Sequence, residues 1–308
     1  MPQSLNRRAL AGGLLALMGA GAAPQAFAQA AQFGRVARRE SQYATTYIDR
    51  DGPYLAMRFG INNCLFTESL YNPADATELP VTYTQFVTVA LAYTAQARNV
   101  AEIGLGGGRI ASYLHDFIPT TNVTCVELDP GVVELAQRYF GVRQGPRLRI
   151  VTRDGRVFMA RARDRYDIII VDAYQGTLVP FHLVTREFYT ILKNKLTPGG
   201  AVAQNISPDV LDLNRMVATA RAVFANVDLY RAEGNWVLIA YDGPPKTTAQ
   251  LNARAATLQQ QYDLRYPLAA MLRGRRANAG EGGDARPFTD DFAPVGYRDY
   301  DRRCRTGR

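Results

Sequence analysis

The chain has 308 residues, enough for one large domain or two modest ones around a real core. Hydrophobic residues make up 47% and charged residues 21%, which excludes a disordered or fibrous chain. The net charge of +8 comes without a dense Lys/Arg block interleaved with aromatics, so it reads as a basic surface rather than a nucleic-acid interface.

Residues 1–28 read as a removable export signal. Arg7-Arg8 precedes an apolar Ala/Gly/Leu stretch from Ala9 to Ala20, and Ala26-Phe27-Ala28 has the small-x-small form of a cleavage site. The context Ser4-Leu5-Asn6-Arg7-Arg8-Ala9-Leu10 resembles a twin-arginine signal, so a periplasmic protein is expected. The stretch is too short and too Gly-rich for a membrane span, and no stable membrane insertion is expected. Cys125 sits inside an apolar strand and reads as a small buried hydrophobe. Cys64 and Cys304 are left, as a bridge or as two thiols; three cysteines and two histidines at these spacings make no metal site.

Residues 33–80 are expected to form a small β unit, with β-rich runs on either side of Asp51-Gly52 signalling a hairpin. From residue 81 to the C-terminus the chain reads as the main domain. Strands are predicted at 98–103, 122–127, 147–151, 166–172 and 200–205, and helices at 82–96, 108–117, 130–140 and 185–195. This alternation predicts an α/β fold with a parallel sheet covered on both faces. A helix near 208–224 and an antiparallel pair around Glu233-Gly234 follow, and residues 273–288 read as a mobile loop.

Chemistry concentrates at the strand ends. The glycine loop Gly104–Gly108 follows the first strand of the α/β region, and Glu127 and Asp129 end the second about twenty residues on. Glycines let the backbone press against a ligand, and a carboxylate at that distance accepts hydrogen bonds from a ribose diol. Gly104, Gly106, Gly108, Glu127 and Asp129 are thus candidate nucleoside-binding residues. Asp154-Gly155 ends the third strand, at the height of an adenine, and Asp172 ends the apolar run Ile168–Val171. Ligands of open α/β sheets bind outside those carboxyl ends. Acids at such ends also cap the next helix or turn, and that structural role is open for each of them.

These segments resemble the spermidine synthases, or polyamine aminopropyltransferases, and in particular their divergent spermidine-synthase-like branch. The matching segments are Tyr83-Thr84-Gln85, the Gly104–Gly108 loop, VELD at 126–129, RDG at 153–155, IIIVDAYQG, and LVTREFYTILKNKLTPGGAVAQN at 183–205. The TDDFAP run at 289–294 resembles a C-terminal element of the divergent branch. The resemblance implies a Rossmann-like S-adenosylmethionine-dependent transferase fold with a small N-terminal β-hairpin domain. It implies that Glu127 holds the ribose, Asp154 reads the adenine, and Asp172 is the catalytic acid, assisted by Tyr83. Gln85, Gln175 and Gln204 fall in substrate-binding segments. The implied co-substrate is decarboxylated S-adenosylmethionine, or S-adenosylmethionine itself, with no tightly bound cofactor. The acceptor would be an amine or polyamine, and a homo-oligomer is implied.

Two departures stand out. Where the family carries Asp in the glycine loop this chain has Gly107, and where it carries a second Asp after the catalytic acid this chain has Gln175. Glu68, Asp290 and Asp291 are the acids left to compensate, and their spacing does not place them at the cleft. Two alternatives to aminopropyl transfer therefore stand: an S-adenosylmethionine-dependent methyltransferase, and an exported non-catalytic nucleoside- or polyamine-binding protein.

Overall fold

The structure, a computed structural model, describes residues 33–61, 64–176 and 179–292. The expected export segment 1–28, Cys304 with its optional bridge to Cys64, and Ala293-Pro294 of the TDDFAP run lie outside the described residues.

Four strands make an N-terminal antiparallel sheet in sequence order: β1 (Phe33–Glu40), β2 (Thr45–Asp51), β3 (Tyr54–Ile61) and β4 (Cys64–Tyr71). The expected hairpin is β2–β3. Asp51 pairs with Tyr54 across the turn, and Gly52 takes the left-handed φ of +60° that a tight hairpin favours. The sheet adds one strand on either side of that hairpin.

The main sheet has eight strands. In chain order the elements are α1 (Thr82–Val87), β5 (Asn99–Ile103), α2 (Arg109–Phe117), β6 (Asn122–Glu127), α3 (Pro130–Tyr139), β7 (Leu148–Thr152), α4 (Gly155–Arg161) and β8 (Tyr166–Val171). There follow α5 (Arg186–Lys195), β9 (Leu196–Ile206), α6 (Leu213–Arg221), β10 (Asn226–Ala232), β11 (Asn235–Tyr241), α7 (Thr248–Tyr262), α8 (Leu268–Leu272) and β12 (Arg275–Arg276). The order across the sheet is β12-β10-β11-β9-β8-β5-β6-β7, parallel from β9 to β7 and antiparallel beyond β9. This is the expected Rossmann-like architecture.

The central strand β8 shows why the apolar run reads as it does. Ile168 and Ile170 join one core layer with Leu91 and Tyr93, and Ile169 and Val171 join the other with Met159 and Phe188. A strand buried on both faces must be apolar throughout, so Asp172, the first polar residue after the run, marks where the sheet meets the cleft.

Three expectations change. The helix expected over 82–96 is α1 followed by a 3-10 helix, Thr88–Tyr93. The hydroxyls of Thr84 and Thr88 each donate to the carbonyl three residues back, at 2.6 Å, a spacing that suits the tighter winding. The helix near 208–224 is shorter, starting where Asp212 caps the Arg215 N–H at 3.1 Å. The segment 273–288 is pinned, not loose. β12 pairs with β10, Arg275 forms a buried ion pair with Asp228, and Ala279 and Phe288 are buried in the core. The pattern gave no warning of α4 or α7. The short α4 opens on a glycine, and α7 has only three buried residues, too few to make an apolar stripe.

Candidate active site

The cleft lies at the carboxyl ends of β5, β6, β7 and β8, under the N-terminal sheet, and encloses about 470 Å³. Three polar contacts close the N-terminal sheet over it. Ser41 donates to Asp129, the Gln175 amide donates to the Tyr43 carbonyl, and the Gly176 N–H donates to Glu68 at 2.8 Å.

The glycine loop is held against the end of β8. Asp172 N–H donates to the Ile103 carbonyl at 2.8 Å, and a Cβ on Gly104 would lie 2.2 Å from the Asp172 carbonyl oxygen. Gly104 also has φ +91°, so only glycine fits here. Glu127 ties this loop to the next. One carboxylate oxygen accepts from Leu105 N–H and the other from Asp129 N–H, both at 2.9 Å. Burial pushes its carboxyl up, and these backbone hydrogen bonds pull it back. Each oxygen keeps lone-pair capacity for a ligand.

Asp172 is held from two sides. Tyr83 on α1 donates to one oxygen at 2.9 Å, and the Asn205 amide donates to the other at 2.8 Å. Burial raises its carboxyl above the usual aspartate value, opposed by the hydrogen bonds from Asn205 and Tyr83. Tyr83 is in turn pushed well above an ordinary phenol, by burial and then by the Asp172 charge. A buried carboxyl with two donors and a raised pKa holds a proton more readily than an exposed aspartate does.

Most predicted residues meet in this cleft: Tyr83, Gly104, Gly106, Glu127, Asp129, Asp154, Gly155, Asp172 and Gln175 line it. Two of the acids also carry the structural duty open to them. Asp129 caps α3 through Gly131 N–H at 2.7 Å while its other oxygen takes Ser41. Asp154 caps α4 through Val157 N–H at 2.8 Å, and its other oxygen meets His182 Nε2 at 2.8 Å. Gly108 lies behind the loop as the N-cap of α2.

Gln85 and Gln204 are corrections. The Gln85 amide donates to the Leu79 carbonyl at 2.8 Å, and the residue does not line the cleft. Gln204 is buried in the core, where its amide oxygen accepts from Tyr189 at 3.3 Å. The reason is strand parity. Val171 pairs with Gln204, so the next pair along β8 and β9 brings Asp172 to Asn205, and neighbouring residues face opposite sides of a sheet. Asn205, one residue on from Gln204, is the neighbour of Asp172 that the sequence reading missed.

Glu68, which its spacing did not place at the cleft, lines it, and so do Glu102, Tyr174 and Asn235, which the sequence reading left unassigned. Asn235 steadies Asn205 with a 2.8 Å hydrogen bond, and Tyr174 donates to the Asn205 carbonyl at 2.9 Å. Glu102 is buried in β5, where burial raises its carboxyl far above normal and the Cys125 thiol donates to it at 3.5 Å. Asp290 is elsewhere, in a bidentate pair with Arg156 at 2.7 and 2.6 Å, and Asp291 does not line the cleft. Among the described residues no group of three or more His, Cys, Asp or Glu could hold a metal.

Fold and cleft together define a Rossmann-like α/β protein with its ligand cleft at the carboxyl ends of the parallel strands. Residues 82–232 match the spermine/spermidine synthase domain. The chain is 31% identical over 222 residues to the polyamine aminopropyltransferase of Vibrio vulnificus, covering 69% of this chain and 74% of that protein. This chain therefore belongs to the spermine/spermidine synthase family. Among solved structures, a probable spermidine synthase from Corynebacterium glutamicum shares the fold at TM-score 0.61 and 19% identity, covering 73% of this chain and 93% of that one. Human methyltransferase-like protein 13, solved in complex with SAH, is 27% identical at TM-score 0.54, covering 60% of this chain and 93% of that one.

Proposed function

We propose that this protein transfers an aminopropyl group from decarboxylated S-adenosylmethionine to an amine, releasing methylthioadenosine. The observation that carries this reading is the Asp172 carboxylate, fixed by Tyr83 and Asn205 in the same cleft as Glu127 and the glycine loop. In this reading Glu127 accepts hydrogen bonds from the ribose hydroxyls, and Asp154 stands at the adenine end. Asp172 takes a proton from the acceptor ammonium, because a protonated amine has no lone pair to attack with. The neutral nitrogen then bonds to the carbon beside the sulfonium. The carbon–sulfur bond breaks with its electron pair going to sulfur, which leaves as a neutral thioether. The positive charge now lies on the new secondary ammonium, facing Asp172.

A methyltransferase reading is favoured by one observation. No carboxylate projects from the glycine loop at Gly107, the position that holds the aminopropyl amine in the family, and a methyl donor needs no such partner. Incubating the protein with decarboxylated S-adenosylmethionine, with S-adenosylmethionine, and with a polyamine mixture separates the readings. Methylthioadenosine in the mass spectrum supports aminopropyl transfer, and S-adenosylhomocysteine supports methyl transfer. Binding of nucleoside and amine without either product points to a binding protein.

We also infer, from the twin-arginine context and the Ala26-Phe27-Ala28 site alone, that the protein works after export to the periplasm.

A further inference from the structure

The end of the cleft at Asp154 is assembled from distant stretches of chain. Asp154 lines it just beyond β7, and Pro180 and Leu183 line it from the 3-10 turn Phe181–Leu183 that follows β8. Both oxygens of Asp154 are held. Oδ1 accepts from Val157 N–H at the start of α4, and Oδ2 lies 2.8 Å from Nε2 of His182 in that turn. A carboxylate only accepts, so Nε2 carries the hydrogen. One donor comes from α4 and the other from the turn, so the direction of the carboxylate depends on how those two elements sit together.

Arg156 ties them to each other. It precedes Val157 on α4, and its guanidinium donates to the His182 carbonyl at 3.1 Å and to Thr185 Oγ1 at 3.4 Å. It also holds Asp290 in the bidentate pair, and Thr185 Oγ1 donates to the same Asp290 oxygen as Nη1 does, at 2.8 Å. Asp290 thus reaches α4 and the turn from the far end of the described chain. The run that carries it is seated independently of this acid. Phe288 is buried, its N–H donates to Thr219 at 2.9 Å, and its carbonyl accepts from Arg186 N–H at 2.9 Å. The Arg215 guanidinium lies over the Phe288 and Phe292 rings, 4.1 and 5.0 Å from their centroids. Removing the Asp290 carboxylate therefore leaves the run its anchors.

We propose that the C-terminal run 288–292 is part of the nucleoside site: Asp290 and Arg156 are positioning residues that seat His182, and His182 directs the Asp154 carboxylate at the base, so that the site selects an aminopurine over the corresponding oxopurine. The inference rests on the reading that places the adenine at Asp154, and it goes beyond that reading by giving the acid its supports. An exocyclic amino group donates to a carboxylate, whereas an oxo group sets oxygen against oxygen. A site built around a hydrogen-bonded NH rejects the analogue that lacks it, provided its acceptor is held in place.

The test is calorimetric titration with methylthioadenosine and with methylthioinosine, in which an oxo group replaces the amino group. The quantity read is the ratio of the two affinities, which a general loosening of the cleft would not move. Wild type is expected to favour methylthioadenosine. His182→Phe keeps a ring without the donor, and Asp290→Ala unseats Arg156; each is expected to narrow the ratio by roughly two- to ten-fold, the worth of one hydrogen bond. His182→Gln, whose amide nitrogen is as many bonds from Cα as Nε2, is expected to recover most of it. Glu127→Gln, at the ribose, should weaken both nucleosides alike and leave the ratio where it was. Melting curves confirm that each variant is folded. A wild-type ratio in either His182→Phe or Asp290→Ala overturns the proposal, even where both affinities fall together. Wild type that binds the two nucleosides equally removes the adenine from Asp154, a different outcome from a failure of His182 or Asp290 alone.

Discussion

Tyr83 donates its phenolic hydrogen to Asp172 at 2.9 Å, joining a helix that precedes the main sheet to the end of its central strand. The bond is made across 89 positions of the chain, and it bears on the proton affinity of the proposed base. Burial raises Asp172, whereas the hydrogen bonds from Asn205 and Tyr83 favour its ionised form. The partners of Asp172 therefore set the pH at which it can accept a proton.

Asp172→Asn is expected to cut turnover by roughly 10²–10⁴-fold while methylthioadenosine binding stays nearly intact. Tyr83→Phe removes a bond that lowers the Asp172 pKa, so that pKa rises further. Activity needs the ionised carboxylate, so the acid limb of the kcat/KM profile moves to higher pH. A full pH–rate profile of Tyr83→Phe checks this, and a limb that stays in place removes Tyr83 from the machinery.

The Glu127 carboxylate is expected to dominate nucleoside affinity. Glu127→Gln weakens charge-assisted acceptance from the ribose, worth about 1.5–3 kcal/mol. The structure adds a second cost, because both oxygens already accept backbone N–H groups from Leu105 and Asp129. Whichever way the amide turns, its NH2 faces one of those donors. Titration with methylthioadenosine reads the loss directly, and unchanged binding would put the nucleoside elsewhere.

Much of this site is legible in the sequence because strand ends are legible. The apolar run Ile168–Val171 must stop where the sheet stops, so Asp172 announces the cleft. Glu127 follows in the same way from β6. Gln204 shows the limit. The end of β9 is readable, but which of two adjacent polar residues turns inward depends on register with β8, and composition does not encode register. Glu68 was harder still, since it arrives from another sheet and its partner, Gly176, is 108 positions away. Only the packing of one sheet over the other brings it to the cleft.

Stability should fall as pH rises. Burial raises the folded-state pKa of Glu68 from 4.5 to about 8, and raises those of Glu102, Glu127 and Asp172 as well. A carboxyl raised in the folded state contributes stability fully present below its unfolded pKa and lost as pH climbs through the folded one. The melting temperature is therefore expected to drop between about pH 5 and about pH 8, with a shallower drop in Glu68→Gln. Parallel melting curves for the two proteins across that window would exclude Glu68 as a contributor.

Export predicts a mature N-terminus after Ala28 and a precursor that accumulates when Arg7 and Arg8 are both replaced by Lys. Mass spectrometry of protein recovered from the periplasm reads the first residue. An intact Met1 on cytosolic protein, unaffected by the double substitution, would remove the export reading.

Restoring the family acid at Gly107 is expected to harm this protein rather than improve it. The obstacle is the Cβ, not the charge. It would meet Ser69 Oγ at 2.4 Å and the fully buried Phe140 ring at 2.6 Å. Overpacking of this kind costs about 1–3 kcal/mol, and Gly107→Ala already incurs it. Gly107→Ala and Gly107→Asp should therefore lower the melting temperature by similar amounts, and neither should tighten diamine binding. Removing the Ser69 hydroxymethyl through Ser69→Gly should recover part of the loss, with Phe140 retaining the rest. A Gly107→Asp protein that melts like wild type and uses diamines better would show that β4 leaves room for the loop acid.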